Sequence, residues 1–269
     1  MRVWATAVLA LVLVGCGAEG GVVGPADVTV SAELVQYRSD EALHRVQVKV
    51  TNAGDTATVV DRFLLTLPGF ADVPAREPDA RLEAGRRVDL PLVFGTASCD
   101  GAEPVAVRGT PSVRLWLDGS TDPVEVEAAD PGGLVPRLAA KECAQRAVTD
   151  AVPLAFADTW TAVGNGAVTG TLQLGEVHGP ARLVRVDGTT LFGIAPVSPL
   201  PIELGEAVDV PVTLRPQRCD PHAVADSSRG YAFRVGVALG DAEPVLVTVD
   251  VDPAERGVLD VALREHCGL

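Results

Sequence analysis

Apolar and polar residues alternate along much of the chain, a pattern typical of strands that bury one face. Every second residue is apolar in five runs, at 28–34, 46–50, 113–117, 231–239 and 245–251. The chain also contains 27 glycines and 20 prolines, many of them between such runs. The pattern predicts an all-β protein with many short strands and turns, arranged as β-sandwiches.

Two segments have helical spacing instead. Residues 252–269 begin with Asp-Pro-Ala-Glu, which suits a helix N-terminus, and continue with apolar residues at helical spacing. At the matching place earlier in the chain, residues 130–133 include two glycines. We therefore expect the first helix to start late, near Pro136, and to end near Arg146.

A twenty-residue segment occurs twice, at 81–100 and 201–220. At a constant offset of 120 positions the two copies share seven identical residues, and the flanking alternation follows the same offset with small insertions. This internal repeat predicts two domains of ordinary size, at 27–147 and 148–269. Each is predicted to end in a short helix that a disulfide ties back to the sheet.

Pro91 and Pro211 occupy the same position in the two copies of this segment. Because proline cannot donate a hydrogen bond to a strand ladder, both strands are predicted to lie at sheet edges. Asp89 and Asp209 share a face with these prolines and place charge where it hinders edge-to-edge pairing.

The N-terminus has the features of an export signal. The apolar run 3–14 is shorter than the ~20 residues that span a bilayer. Residues 13–16, Leu-Val-Gly-Cys, resemble a bacterial lipobox, which implies cleavage before Cys16 and acylation of its thiol. Residues 1–15 are thus predicted to be a lipoprotein signal peptide, and 16–26 the lipidated cysteine with a flexible tether. An ordinary secretory signal is the alternative.

The cysteine count agrees with export. If Cys16 carries lipid, four of the five cysteines remain, two in each copy. Matched cysteines in an exported chain indicate disulfides. Of the three possible pairings, the duplication favours Cys99–Cys143 and Cys219–Cys267, because a repeated fold brings equivalent pairs together.

The net charge of −14 excludes one class of partner. Nucleic-acid binding depends on lysine and arginine meeting phosphates, so we expect no nucleic-acid partner. The same charge argues against an electrostatic grip on anionic lipid heads, which leaves the N-terminal anchor as the expected membrane contact.

Two stretches resemble known families. The strand-turn-strand pattern from Val46 to Val60 resembles bacterial immunoglobulin-like domains, which implies two tandem immunoglobulin-like sandwiches. Residues 218–223 with 230–233 resemble uncharacterised envelope proteins of GC-rich Gram-positive bacteria, a likeness that implies no activity. The first copy departs from this second pattern, because Ala102 stands where His222 would align.

One group has the residue types of a metal site, namely Cys219, His222, His266 and Cys267. Two cysteines and two histidines can hold Zn²⁺ or copper. However, ligation needs reduced thiols, whereas export favours their oxidation. We therefore expect a disulfide, no metal and no cofactor, with a site of His222 and His266 alone as the alternative.

No G-x-S-x-G, H-E-x-x-H, P-loop or dinucleotide motif occurs, so we expect a protein without enzymatic activity. Asp100 and Asp220 are expected to cap turns. Trp116 points away from its apolar neighbours and is the candidate for contact with a partner, since interfaces are enriched in tryptophan. Packing beneath a neighbouring loop is the alternative.

These features predict a lipid-anchored module on the extracytoplasmic face of a bacterial cell membrane. It would bind or assemble with another envelope protein and would not catalyse a reaction. The alternative is a lipoprotein that binds a metal or small solute with its second domain.

Overall fold

The structure is a computed structural model that describes residues 29–41, 43–106, 108–225 and 230–269. The predicted signal peptide, Cys16 and the tether lie outside the described residues. Within them, the chain forms two tandem immunoglobulin-like β-sandwiches, each followed by a helix that a disulfide ties back, as predicted. None of the described helices is long and apolar enough to cross a membrane.

The first repeat comprises eleven elements: β1 (Val30–Val35), α1 (Arg38–Glu41), β2 (Arg45–Asn52), β3 (Thr58–Thr66), β4 (Ala80–Leu82), β5 (Arg87–Val93), β6 (Cys99–Asp100), β7 (Glu103–Pro104), β8 (Ser112–Leu117), β9 (Val124–Ala129) and α2 (Leu134–Ala151). Seven strands follow the order β4-β3-β8-β9-β1-β2-β5. Strand β9 joins the two layers, because it pairs antiparallel with β8 and then parallel with β1. Strands β6 and β7 form a separate hairpin.

The second repeat comprises β10 (Leu154–Phe156), β11 (Thr161–Gly164), β12 (Ala167–Leu174), β13 (Ala181–Asp187), β14 (Phe192–Pro196), β15 (Ile202–Leu204), β16 (Val208–Pro216), α3 (Pro221–Ala225), β17 (Ala232–Leu239), β18 (Val245–Asp250) and α4 (Arg256–Cys267). One sheet has the order β10-β12-β16-β14, with β11 also paired to β12. The other has the order β15-β13-β17-β18.

Each repeat has its own hydrophobic core between its two layers. Valine, leucine and alanine supply most of the buried side chains, in keeping with an aromatic content of only 4%. Phe63 is fully buried in the first core, and Phe192 and Phe233 in the second. The alternation of the sequence thus becomes an inward face of apolar residues on each strand.

Helix α2 is longer than the sequence suggested. It runs from Leu134 to Ala151 instead of from about Pro136 to about Arg146. The glycines before it do not delay its start, because the carboxylate of Asp130 accepts the N–H groups of Leu134 and Val135 at 2.6 and 2.9 Å. These bonds satisfy two of the free donors of the first turn.

Helix α2 also contributes to both cores. Leu138 packs in the first core. Val148, in the last part of the helix, and Val152, just beyond its end, pack in the second core. The side-chain amide of Gln145 donates to the carbonyl of Leu246 on β18 at 2.7 Å. The boundary between residues 147 and 148 stays a prediction, and it falls inside this shared helix.

Helix α4 starts later than predicted. Asp252 is not its N-cap. Instead, Asp252 forms a turn in which its carboxylate accepts the N–H of Ala254 and its carbonyl accepts that of Glu255. The helix then begins at Arg256 and ends at Cys267. In the first repeat the matching cysteine, Cys143, lies in the middle of α2, because that helix continues to Ala151 instead of ending near Arg146.

The edge-strand prediction is right for β5 and wrong for β16. Strand β5 ends its sheet, whereas β16 lies between β12 and β14. The ladder between β14 and β16 stops at Pro211, whose carbonyl accepts the N–H of Val197 at 2.9 Å. Because proline lacks only the donor, it is compatible with the last position of such a ladder.

Candidate functional site

The two disulfides are those predicted. Cys99 and Cys143 have Cα atoms 5.5 Å apart, and Cys219 and Cys267 have Cα atoms 5.3 Å apart. The first bridge is the better protected, since Cys143 is fully buried while Cys219 is exposed. Both bridges fasten a helix to the end of a strand segment, which identifies them as structural.

The histidines beside the second bridge are exposed. His222 lies in α3, and His266 lies in the last turn of α4. The thiols of Cys219 and Cys267 are consumed by the disulfide. Among the residues that the structure describes, no three His, Cys, Asp or Glu side chains are grouped as metal ligands. No observation here favours the metal-binding alternative.

Asp220, for which the sequence predicts a turn cap, caps the first turn of the short helix α3. Its carboxylate accepts the N–H of Ala223 at 2.8 Å and forms an ion pair with Arg218 at 2.8 Å. The bond from Ala223 and the charge of Arg218 lower the pKa of Asp220 below its ordinary value. This aspartate therefore has a structural explanation.

Trp116 is half-buried on β8 and is not fully outward. The guanidinium of Arg62 lies 4.0 Å from the centroid of its ring, and its indole N–H donates to the carbonyl of Thr121 at 3.2 Å. Both alternatives from the sequence thus stay open, because a loop contact exists and part of the ring is accessible. Its contact with a partner stays a prediction.

Strand β5 ends its sheet, and no other described strand pairs with its outer side. Two hydrogen bonds show which side of the β5 backbone faces β2: the N–H of Phe94 donates to the carbonyl of His44, and the N–H of Asn52 donates to the carbonyl of Arg86. Since antiparallel ladders alternate, the even-numbered residues of β5 bond to β2, and the odd-numbered residues face away. The outward groups belong to Arg87, Asp89, Pro91 and Val93.

We call this outward side of β5, from Arg87 to Val93, the open edge. No described strand pairs with it. Beyond β5 the chain bonds to a loop, because Ala71 donates to the carbonyl of Thr96 at 2.8 Å and Ser98 donates to that of Gly69 at 2.7 Å. The open edge is thus confined to the length of β5.

Three exposed side chains with apolar surface belong to the same part of the repeat. Tyr37, Leu43 and Val93 are 41%, 47% and 44% exposed. The hydroxyl of Tyr37 donates to the carboxylate of Asp89 on the open edge at 2.6 Å. This bond, and then the partial burial of the ring, raise the pKa of Tyr37.

A buried carboxylate holds the segment that carries Tyr37 in place. Asp40 in α1 is 1% exposed, and it accepts bonds from Arg45 at 2.7 Å, from Gln47 at 2.9 Å and from the N–H of Tyr37 at 3.1 Å. Burial raises the pKa of Asp40, but the bonds from Arg45 and Gln47 outweigh it and lower the pKa overall. Helix α1 is thereby fixed to β2, beside β5.

Sequence reasoning missed this arrangement. The prediction treated Asp89 and Pro91 as features that protect an edge, and it assigned no role to Tyr37 or Asp40. The only available signal was the loop position of Asp40 ahead of a strand with outward Arg45. That signal does not reveal which side chains meet across two strands.

The charge at the N-terminal end of the open edge is positive. Arg86 and Arg87 are both exposed, and neither forms an ion pair within the described part of the chain. One strand further in, Lys49 is paired with Glu33 at 3.1 Å. The open edge thus combines unpaired backbone groups, apolar surface at one end and free positive charge at the other.

A small apolar cleft opens on the other side of the same strand. Its volume is about 10 Å³, and its walls include Leu65, Phe70, Leu92 and Phe94. Pockets for drug-sized ligands are usually ~300 Å³ or more. The cleft is therefore a weaker candidate for a site than the open edge.

No family model matches the chain, and no curated protein matches it. Among solved structures, the YadV chaperone matches 84% of this chain and 100% of its own, with 12% identity and a TM-score of 0.23. Red sea bream transglutaminase matches 82% of this chain and 31% of its own, with 10% identity and a TM-score of 0.22.

A third match is the CsuC–CsuE chaperone and tip adhesion subunit complex from Acinetobacter baumannii. It covers 77% of this chain and 91% of the matched chain, with 14% identity and a TM-score of 0.18. Likenesses with TM-scores this low constrain neither fold nor function. The architecture rests on the sheets and disulfides of this chain.

Proposed function

We propose that the chain is a lipid-anchored binding or assembly module on the extracytoplasmic face of a bacterial cell membrane, where it contacts another envelope protein without catalysing a reaction. The observation that carries this proposal is the pairing of all four repeat cysteines within their own repeats. Disulfides of this kind persist in exported proteins and are rare in the reducing cytosol. The lipobox at residues 13–16 supplies the anchor.

A binding role is supported by how the repeats are joined. Helix α2 is fastened to the first repeat by Cys143, and its last turn lies against the second core. With Gln145 bonded to β18, the helix acts as a shared element and not as a flexible linker. Such a tandem presents its surfaces in a fixed relation, which suits the recognition of another protein.

The groups with shifted pKa values support a role without catalysis. Active sites gather such groups in one cleft, whereas here each is explained by its own local partner. Asp40 bonds to Arg45 and Gln47, and Asp220 caps α3. Burial, and then the bond that Tyr231 donates to Asp260, raise the pKa of Tyr231. These are structural bonds within single repeats.

The proposal has two parts that are tested separately. For the anchor, cells expressing the full chain are fed an alkyne-labelled fatty acid, and the protein is followed in membrane and medium fractions. Wild type should carry label and stay with the membrane, whereas Cys16→Ala should lose label and appear in the medium. Membrane retention of Cys16→Ala without label would refute the anchor.

For the binding role, intact cells are treated with a membrane-impermeant crosslinker, and the protein is purified with whatever is attached. The same envelope protein should be recovered in independent preparations, and reconstitution of the two purified proteins should restore the complex. Recovery of no consistent protein under several growth conditions would refute the binding role.

A further inference from the structure

We propose that the open edge of β5 receives an extended segment of the partner protein as an additional antiparallel strand. The segment carries an apolar residue beside Val93 and an acidic residue beside Arg87. This inference rests on the proposed binding function and names the surface and the partner chemistry that it uses.

The backbone of the open edge supplies the first argument. Arg87, Asp89 and Val93 each present an N–H and a carbonyl, and Pro91 presents a carbonyl alone. An added strand gains affinity from such main-chain bonds and specificity from alternate side chains. Pro91 removes only one donor, so it weakens the ladder without preventing it.

The second repeat shows that this position accepts a strand. Pro211 is the counterpart of Pro91, and strand β14 pairs there in the antiparallel sense. The pairing ends where the N–H of Val197 donates to the carbonyl of Pro211 at 2.9 Å. The repeat fold thus tolerates an antiparallel strand as far as this proline, beside the counterparts of Pro91 and Val93. In the first repeat no described strand pairs there.

Charge and apolar surface determine the chemistry of the added strand. An antiparallel segment that begins beside Val93 ends beside Arg87. At its start it meets the exposed side chain of Val93, and at its end it meets the free charge of Arg87. Counting the residue beside Val93 as the first, the segment has an apolar first residue and an acidic seventh residue.

Two further positions of the segment follow from the register. The third residue lies beside Pro91 and donates its N–H to the proline carbonyl, so it is not proline. The fifth lies beside Asp89 and is not acidic, because like charges directly opposite each other repel. The pattern is therefore specific enough to be tested with a synthetic peptide.

A second copy of this chain fits the edge less well. In the full-length antiparallel register, Arg87 of one copy would lie beside Val93 of the other, and the free arginine charges would gain no acidic partner. In the register that aligns Asp89 of one copy with Asp89 of the other, two carboxylates would face each other. A strand from a different protein satisfies the edge better.

The test uses the full mature chain labelled with ¹⁵N and the peptide Val-Thr-Val-Thr-Lys-Thr-Glu as the probe. On titration, the amide signals of Arg87, Asp89 and Val93 should shift and their hydrogen exchange should slow. A peptide with N-methylated third residue should bind about tenfold more weakly, because it cannot donate to Pro91. A peptide with lysine at the seventh position should bind about threefold more weakly.

Protein variants provide the matched controls. Val93→Pro removes an outward donor but no bond to β2, and it should weaken binding about tenfold. Arg87→Glu is an exposed change that should reverse the preference between the two peptides. Arg215→Glu alters an exposed arginine of β16, a strand paired on both sides, and it should change nothing.

Three results would overturn the inference. The first is no shift at millimolar peptide, or shifts centred away from β5. The second is a dimer in sedimentation that Val93→Pro abolishes, which would assign the edge to a second copy. The third is unchanged capture of the natural partner by the double variant Arg87→Glu, Val93→Pro. This last result would refute binding of the partner along the open edge, while leaving the proposed binding function intact.

Discussion

The two repeats keep the same order of core strands but cover the same edge differently. In the second repeat, β14 extends the ladder of β16 as far as Pro211. In the first, no described strand pairs with the outward side of β5, so the edge beside Pro91 is open. Core positions are constrained by packing in both copies, whereas edge positions are not. The edge is therefore where duplicated domains can diverge in function.

The helices that close the two repeats also differ. Helix α2 is held by a bridge at its middle and contributes to two cores, whereas α4 is held at its last residue and packs on one. Cys143 is buried and Cys219 is exposed. The first bridge therefore secures an element that both repeats use, and the second secures only its own repeat.

The largest expected effect tests this difference between the bridges. Replacing Cys99 and Cys143 by alanine should lower the free energy of unfolding by about 5 kcal/mol, and replacing Cys219 and Cys267 should lower it by about 4 kcal/mol. Loop lengths are similar, and the added cost of the first pair reflects burial of Cys143. Urea unfolding of the mature protein measures both values.

Hydrogen exchange supplies the control for this experiment. Loss of the first bridge should speed exchange in β18 of the second repeat, because α2 would loosen there. Loss of the second bridge should leave the first repeat unchanged. If both effects stayed within their own repeats, α2 would not couple the two domains.

A smaller effect is expected from the end of α2. Val148→Ala should destabilise the protein by about 2 kcal/mol, because Val148 is 1% exposed in the second core. Val261→Ala in α4 is the matched control, since Val261 is 50% exposed and its loss should cost less than 0.5 kcal/mol. Equal costs in urea unfolding would contradict the assignment of Val148 to that core.

The repeat explains why so much of the fold was predictable. Alternation identified the strands, and the matched cysteines identified both bridges, because a duplicated fold offers two independent views of one pattern. The start of α2 was not predictable, since it depends on bonds from Asp130 that overcome two glycines. The predicted start of α4 was wrong because Asp252 forms a turn and does not cap the helix.

The candidate site was only half predictable, for a physical reason. Pro91 and Asp89 could be placed on an edge from local sequence alone. Whether another strand covers that edge depends on segments elsewhere in the chain, such as β14 in the second repeat. The bond between Tyr37 and Asp89 likewise joins positions 52 residues apart.

The buried carboxylate of the first repeat offers a pH-dependent test. Asp40→Asn should lower the free energy of unfolding by about 2 kcal/mol at pH 7, because it weakens the bonds to Arg45 and Gln47. The pKa of Asp40 is lower in the folded than in the unfolded protein. Its contribution is therefore complete above the unfolded pKa and is lost as pH falls through the folded pKa.

The difference between wild type and Asp40→Asn should accordingly shrink at acidic pH when urea unfolding is repeated there. Asp209→Asn is the control in the second repeat, where an exposed carboxylate has only a 3.5 Å bond from Gln173. It should cost less than 0.5 kcal/mol at any pH. A pH-independent cost for Asp40→Asn would show that its charge does not stabilise the fold.

The smallest expected effect concerns Trp116, for which the second repeat has Gly236. A Cβ atom at Gly236 would lie 3.0 Å from that of Arg185, so a side chain at this position would be crowded. In the first repeat Arg62 stacks on the ring, and such exposed pairs contribute about 0.5–1 kcal/mol. A double-mutant cycle of Trp116→Leu and Arg62→Met should give a coupling energy in that range by urea unfolding, whereas additive effects would contradict the stack. Capture of the partner by the same variants tests the sequence-based prediction of a contact, because a contact through Trp116 requires weaker capture by Trp116→Leu than by Arg62→Met.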